Sequence, residues 1–83
     1  MAPKKSEIKY EIKQQLGELG SSRAGWTREL NLVSWNDGQP KLDIRDWNED
    51  HSRMSKGITL DYEQTAILRE LLNDAELDSI FAE

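Results

Sequence analysis

The residues of this chain that could do chemistry are cations placed close to aromatic side chains. In the segment Asp43-Ile44-Arg45-Asp46-Trp47, Arg45 and Trp47 are two positions apart, so a pleated strand would carry both on one face. Unpaired bases stack on aromatic faces, and their phosphates attract guanidinium and ammonium groups. The pattern therefore indicates a surface for single-stranded nucleic acid. The predicted binding residues are Trp26, Arg28, Trp35, Lys41, Arg45, Trp47 and Lys56.

A structural interpretation of the same residues is the main alternative. The three tryptophans could be core anchors, and the cations could form an ordinary solvated face. A chain of 83 residues has only a small core, however, and cannot easily bury three indoles with every N–H group hydrogen-bonded. We therefore expect at least one tryptophan at the surface.

Acidic residues in the same region suggest a metal-dependent nuclease as a further alternative. The carboxylates concerned are those of Asp43, Asp46, Glu49 and Asp50. They lack the glycine and the ligand spacing of a calcium loop, and Asp43 alternates in phase with Arg45, which favours an ion pair or a solvated turn. His51 has no serine, cysteine or second histidine placed to act with it, so we expect a solvated loop histidine. We expect no enzyme, and no catalytic residue, metal, cofactor or small-molecule substrate.

The charge of the chain is unevenly distributed. The formal net charge of −5 argues against a nucleic-acid partner, but residues 1–60 carry ten Lys and Arg against nine Asp and Glu. Residues 61–83 carry only Arg69 against seven acids, so a positive groove can form on the first part of an acidic molecule. The chain has no cysteine for a disulfide, no membrane-spanning apolar run, and no apolar signal region after Lys4-Lys5. We expect a cytoplasmic, nucleoid-associated protein.

Alternation of apolar and polar residues predicts four strands, which cover residues 8–19, 26–35, 40–47 and 57–60. A change of phase in the second strand predicts a bulge near Leu32 and Val33. The turn residues Asn36-Asp37-Gly38 join the second and third strands as a hairpin. Asp61 and Gln64 form a capping-box pattern that begins a helix. The predicted fold class is α+β, with the sheet preceding the helix.

The predicted helix carries an apolar stripe, which a single small subunit would leave partly uncovered. We therefore predict a dimer interface at Ile67, Leu68, Leu71 and Leu72. The apolar residues Leu77, Ile80 and Phe81 would fall on the opposite side of a straight helix, which predicts a break near Asn73-Asp74.

The chain is accordingly divided into three parts. Residues 1–7 are predicted to be a disordered arm, residues 8–73 the binding domain, and residues 74–83 an acidic extension. For the extension we favour docking of its apolar residues against a dimer over a mobile tail that competes with phosphates.

Several short motifs resemble the positive cofactor four family of transcriptional coactivators. They are Asp43-Ile44-Arg45, Trp47, and Lys56-Gly57-Ile58-Thr59-Leu60 before a capped helix with Glu63-Gln64. The segments Gly25-Trp26, Arg28-Glu29-Leu30-Asn31, Val33-Ser34-Trp35-Asn36-Asp37 and Asp50-His51 are similar to the small bacterial YdbC-like branch of that family. The resemblance covers about residues 8–72.

The resemblance implies a homodimer in which each subunit contributes a curved four-stranded antiparallel β-sheet followed by a C-terminal α-helix. Single-stranded DNA would lie along the sheets with little sequence preference. The residues that match binding positions of the family are Arg28, Trp35, Arg45, Trp47 and Lys56. Trp26 stands where other members have a lysine, so its stacking role is a separate prediction.

The resulting hypothesis is a non-enzymatic, homodimeric single-stranded DNA-binding protein that acts in transcription or protects unpaired DNA. The first alternative is an RNA-binding module of the same fold, because the same stacking surface tolerates RNA. The second is the nuclease described above.

Overall fold

The computed structural model describes residues 8–82. The elements are β1 (Tyr10–Arg23), β2 (Trp26–Trp35), β3 (Lys41–Asn48), β4 (Ile58–Leu60), α1 (Tyr62–Asp74) and α2 (Leu77–Ile80). The strands form one antiparallel sheet in the order β1-β2-β3-β4, so the predicted α+β fold is confirmed. The predicted arm, residues 1–7, lies outside the described residues.

The pairing of β2 with β3 shows which residues lie on each of the two faces of the sheet. The pairing runs without interruption from Trp26 opposite Asn48 to Val33 opposite Lys41, and residues directly opposite one another share a face. The aromatic face consists of Thr27, Glu29, Asn31, Val33, Trp35, Lys41, Asp43, Arg45 and Trp47. The leucine face consists of Trp26, Arg28, Leu30, Leu32, Leu42, Ile44 and Asp46.

Strand β1 is repeatedly bulged. It uses 14 residues to pair with the 10 residues of β2, and the register shifts at four places. The residues without a partner are Lys13, Leu16, Leu19 and Ser22. The bulge predicted in β2 near Leu32 and Val33 lies in β1 instead, so the prediction named the wrong strand. The extra residue is Lys13, which stands opposite Leu32 and Val33. Bulges bend a strand and increase its twist, so they account for curvature in this sheet.

Five of the six buried residues in the described part of the chain lie on the aromatic face, over which segment 49–57 folds, and Ser34 is the exception. The hydroxyl of Tyr10 donates a hydrogen bond of 2.7 Å to the carbonyl of His51, and Met54 forms an isolated bridge with Trp47. The amide of Ser55 donates to the carbonyl of Asp46 at 3.0 Å. Val33 and Trp47 have no exposed surface.

Helix α1 begins with the predicted capping box. The amide of Gln64 donates to Oδ1 of Asp61 at 2.8 Å, and the amide of Asp61 donates to Oε1 of Gln64 at 3.2 Å. The helix ends at Asp74, so the predicted break near Asn73-Asp74 is confirmed. Its first residues border the leucine face near Leu32 and Leu42. No helix in the described part of the chain is long and apolar enough to cross a membrane.

Candidate nucleic-acid interface

The structure divides the predicted binding residues between the two faces. Trp35, Lys41, Arg45 and Trp47 lie on the aromatic face, whereas Trp26 and Arg28 lie on the leucine face. Lys56 lies in the segment before β4 and is exposed. The seven residues therefore do not form one continuous patch within a subunit.

Trp47 is a core residue, and the prediction that it offers an exposed stacking surface is wrong. It is 0% exposed, and its ring lies 5.4 Å from the rings of both Tyr10 and His51, measured between centroids. The physical reason is segment 49–57, whose residues His51 and Met54 cover the indole. The core-anchor interpretation thus holds for this tryptophan.

Arg45 is engaged inside the protein rather than presented to solvent. Its Nε and Nη2 donate to the two oxygens of Asp43 at 2.7 and 2.8 Å, which confirms the predicted ion pair. Its Nη1 donates to the carbonyl of Ser55 at 3.2 Å. The guanidinium carbon lies 4.5 Å above the ring of Trp35, so the cation and the indole form one stacked unit.

A cavity opens beside this stacked unit. Its volume is about 710 Å³, which is within the range of small-ligand sites. The lining residues are Ile8, Trp35, Asn36, Gly38, Gln39, Lys41, Arg45 and Thr59. Lys41 is exposed and makes no ion pair with any residue described by the structure. We call this cavity the Trp35 cleft; it combines a half-buried indole with the exposed ammonium group of Lys41.

A second cationic and aromatic group lies at the tip of the β1–β2 hairpin. The guanidinium of Arg23 stacks on the ring of Trp26 at 4.4 Å, and Arg28 binds Asp46 through a 2.8 Å ion pair. The hydrogen bond from Arg28 holds the pKa of Asp46 below its ordinary value. Sequence reasoning missed Arg23; the available signal was its position directly across the hairpin from Trp26.

A buried polar network lies beneath segment 49–57, and sequence reasoning missed it. Nε2 of His51 lies 2.9 and 3.0 Å from the two carboxylate oxygens of Glu29, and Asn31 donates to the same carboxylate at 3.1 Å. His51 adopts the left-handed conformation, with φ of 61°. The prediction of a solvated loop histidine is wrong, because Glu29 and Trp47 hold this side chain against the sheet.

Three of the four acidic residues of the nuclease alternative are engaged separately, and the fourth, Glu49, is exposed. Asp43 binds Arg45 and Asp46 binds Arg28, while the carboxylate of Asp50 accepts hydrogen bonds from the hydroxyl and the amide of Ser52. The hydroxyl of Ser52 lowers the pKa of Asp50 from its ordinary value. These contacts explain the acidic cluster as structural ion pairs and a turn.

Comparison with known proteins identifies relatives of this chain. The family model described as Transcriptional Coactivator p15 (PC4) matches residues 22–71, which extend from the hairpin tip into α1. A protein of Treponema pallidum (strain Nichols), described as uncharacterized, is 43% identical over 72 residues. That alignment covers 87% of this chain and 85% of the Treponema protein.

Proposed function

Because the chain belongs to the transcriptional coactivator p15 (PC4) family, we propose that it binds single-stranded DNA as a non-enzymatic, transcription-related cofactor. The family supports a nucleic-acid-binding role in general terms. The finer proposal is that binding depends on base stacking and phosphate contacts, has little sequence preference, and takes place in the cytoplasm at the nucleoid.

The Trp35 cleft is the observation that carries this proposal. The indole of Trp35 is stacked by the guanidinium of Arg45, lies 5.9 Å from the ring of Tyr10, and has a buried Nε1, so an unpaired base would stack on the part of the ring that lines the cleft. Lys41 at the wall of the cleft and Lys56 on the adjoining segment supply the charges that phosphates require.

Fluorescence anisotropy with labelled dT oligomers would test the proposal, with duplex DNA and a matched RNA as controls. We expect binding of the single strand that weakens as salt rises. Lys41→Ala and Lys56→Ala should each reduce the magnitude of the slope of log affinity against log salt by about 0.7, the value for one phosphate contact to a single strand. Lys13→Ala is the matched control, because Lys13 lies on β1 and pairs with Glu11. Equal affinity for the duplex would contradict the proposal.

RNA remains the second candidate ligand, because an aromatic and cationic cleft has no feature that excludes a 2′-hydroxyl group. Competition between dT and rU oligomers of equal length would separate the two. Displacement of bound DNA by an equimolar amount of RNA would make RNA the preferred ligand.

We further propose that the protein is a homodimer joined through α1. No residue of α1 is buried within one subunit, and Ile67, Leu71 and Leu72 are each more than half exposed, while Leu68 is half-buried. A second copy of the same stripe would cover these side chains, and a twofold symmetric dimer is the commonest arrangement among homo-oligomers.

Sedimentation velocity at micromolar concentration tests the dimer and should give about twice the monomer mass. Leu71→Asp should dissociate it, because a charge without a partner would be buried in an apolar contact. Arg69→Asp, on the polar side of the same helix, is the matched control and should leave the mass unchanged. A monomeric wild type would contradict this part of the proposal.

A further inference from the structure

We propose that Arg45 is a positioning residue that holds Trp35 and Lys56 in fixed relation and does not itself bind a phosphate. This inference rests on the proposed function, because it assigns roles within the same binding surface. It also departs from the sequence-based expectation that Arg45 is a phosphate contact.

The hydrogen-bonding capacity of Arg45 is largely used within the subunit. A guanidinium has five N–H groups in a rigid fork. Two of them donate to Asp43 in the bidentate geometry, and Nη1 donates to the carbonyl of Ser55 and lies 3.5 Å from the sulfur of Met54. At most one N–H, on Nη2, is left without a partner among the described residues, and the side chain is only 12% exposed, so a phosphate has little access to it.

The charge of Arg45 is also neutralised locally. Asp43 is fully buried and lies 2.7 Å from the guanidinium, so the pair presents no net positive charge to an approaching phosphate. Affinity through phosphates depends on cations that release counterions when DNA binds. Lys41 and Lys56 meet this requirement because both are exposed, and neither makes an ion pair in residues 8–82.

The contacts of Arg45 join the two parts of the binding surface. The flat side of its guanidinium supports the ring of Trp35, and the Nη1 hydrogen bond holds the carbonyl of Ser55 next to Lys56. Gly57 lies against the same side chain, where an added Cβ would meet Cβ of Arg45. Arg45 therefore sets both the orientation of the Trp35 ring and the path of segment 49–57, which carries Lys56.

Asp43→Asn distinguishes positioning from phosphate binding by the sign of its effect. If Arg45 positions its neighbours, losing the bidentate partner should loosen the unit and weaken dT binding about tenfold, a loss of the size expected for one misplaced stacking surface. If Arg45 binds phosphate, the same change frees its charge and should tighten binding. Tighter binding would overturn the inference.

The salt dependence of Arg45→Lys gives an independent readout. Lysine keeps the charge but cannot reproduce the planar fork or support the indole in the same way. We expect weaker binding for Arg45→Lys and for Arg45→Gln. In the Lys56→Ala background, where the lysine that Arg45 positions is already absent, Arg45→Gln should leave the salt slope unchanged. A further reduction of the slope by about 0.7 in that double variant would show a phosphate contact of Arg45 itself and refute the positioning role.

Double-mutant cycles for binding separate positioning from a general loss of stability. The losses of binding free energy caused by Arg45→Lys and by Trp35→Ala should be non-additive, because Arg45 has less to position once the indole is removed. The losses caused by Arg45→Lys and by Lys56→Ala should be non-additive for the same reason. Additive losses would overturn the inference. If the wild-type protein binds dT oligomers but the cycles are additive, only the positioning role is overturned and the proposed function stands. If the wild-type protein binds no oligomer, the proposed function and the positioning role are both overturned.

Discussion

Two tryptophans of the aromatic face, Trp35 and Trp47, differ in role because of what covers them. Trp47 is enclosed by Tyr10 and His51, whereas Trp35 borders an open cleft and is stacked on one side by Arg45. The residue type is the same at both positions, so we expect burial to decide which one stabilises the fold and which one contributes to the proposed binding surface.

Replacing each tryptophan with alanine should therefore affect different properties. Trp47→Ala should lower the free energy of unfolding by about 3–5 kcal/mol, as expected for losing a buried aromatic side chain. Trp35→Ala should retain a cooperative thermal transition and weaken dT binding by about 1–3 kcal/mol. Urea denaturation and anisotropy on both variants check this. A Trp47→Ala protein of wild-type stability would contradict the burial argument.

The Arg28–Asp46 pair predicts an acid-sensitive contribution to stability. Arg28 lowers the pKa of Asp46 in the folded state, so the stabilisation is present above the unfolded pKa of about 3.8 and is lost as pH falls through the folded pKa. Asp46→Asn should lower the melting temperature at about pH 7, and the difference from wild type should shrink below about pH 3. Glu49→Gln, at an exposed loop position, is the control. A difference that grows on acidification would contradict the assignment.

At the level of elements, segment 49–57 joins β3 to β4 and closes the aromatic face. Its contacts come from three directions, through Tyr10 on β1, Glu29 on β2 and Arg45 on β3. This polar segment has few apolar residues and is ordered by these hydrogen bonds, and it carries the exposed Lys56.

Gly57→Ala should disturb this segment. An added Cβ would collide with Cβ of Arg45 and with the carbonyl oxygen of Ile44, and such overpacking usually costs about 1–3 kcal/mol. We expect a lower melting temperature and weaker dT binding. Gly17→Ala is the control, because a Cβ there meets nothing within 4 Å. Equal effects of the two substitutions would show that close approach at Gly57 is not the cause.

The molecule as a whole leaves its C-terminal apolar residues uncovered. Leu77, Ile80 and Phe81 of the acidic extension are 54%, 60% and 77% exposed, and they follow the exposed stripe of α1. A tail that only competed with phosphates would not require three apolar residues. We therefore expect α2 to dock against the proposed dimer.

Deleting residues 76–83 should lower the melting temperature and weaken self-association, while the salt slope of DNA binding stays the same. The deletion removes apolar contacts from the proposed dimer and no cation from the binding surface. Scanning calorimetry at several protein concentrations, with anisotropy across salt, checks both effects. Unchanged melting combined with tighter binding at low salt would instead show that the tail competes with phosphates.

Local patterns were sufficient to predict the order of the elements. Alternation predicted the strands, Asp61 and Gln64 predicted the start of α1, and the phase of Asp43 with Arg45 predicted their ion pair. These features depend on residues close together in the chain, and they follow from strand and helix geometry.

Burial of the binding residues was decided only by the tertiary structure. Alternation correctly placed Arg45 and Trp47 on one face, but no local rule could indicate that segment 49–57 would return over that face, bury Trp47 and bring His51 to Glu29. The bulges of β1 likewise depend on its pairing with β2. Exposure is a property of contacts between distant segments, so the sequence by itself determined which residues of one strand share a face, and the fold decided how the strands pair and which side chains remain exposed.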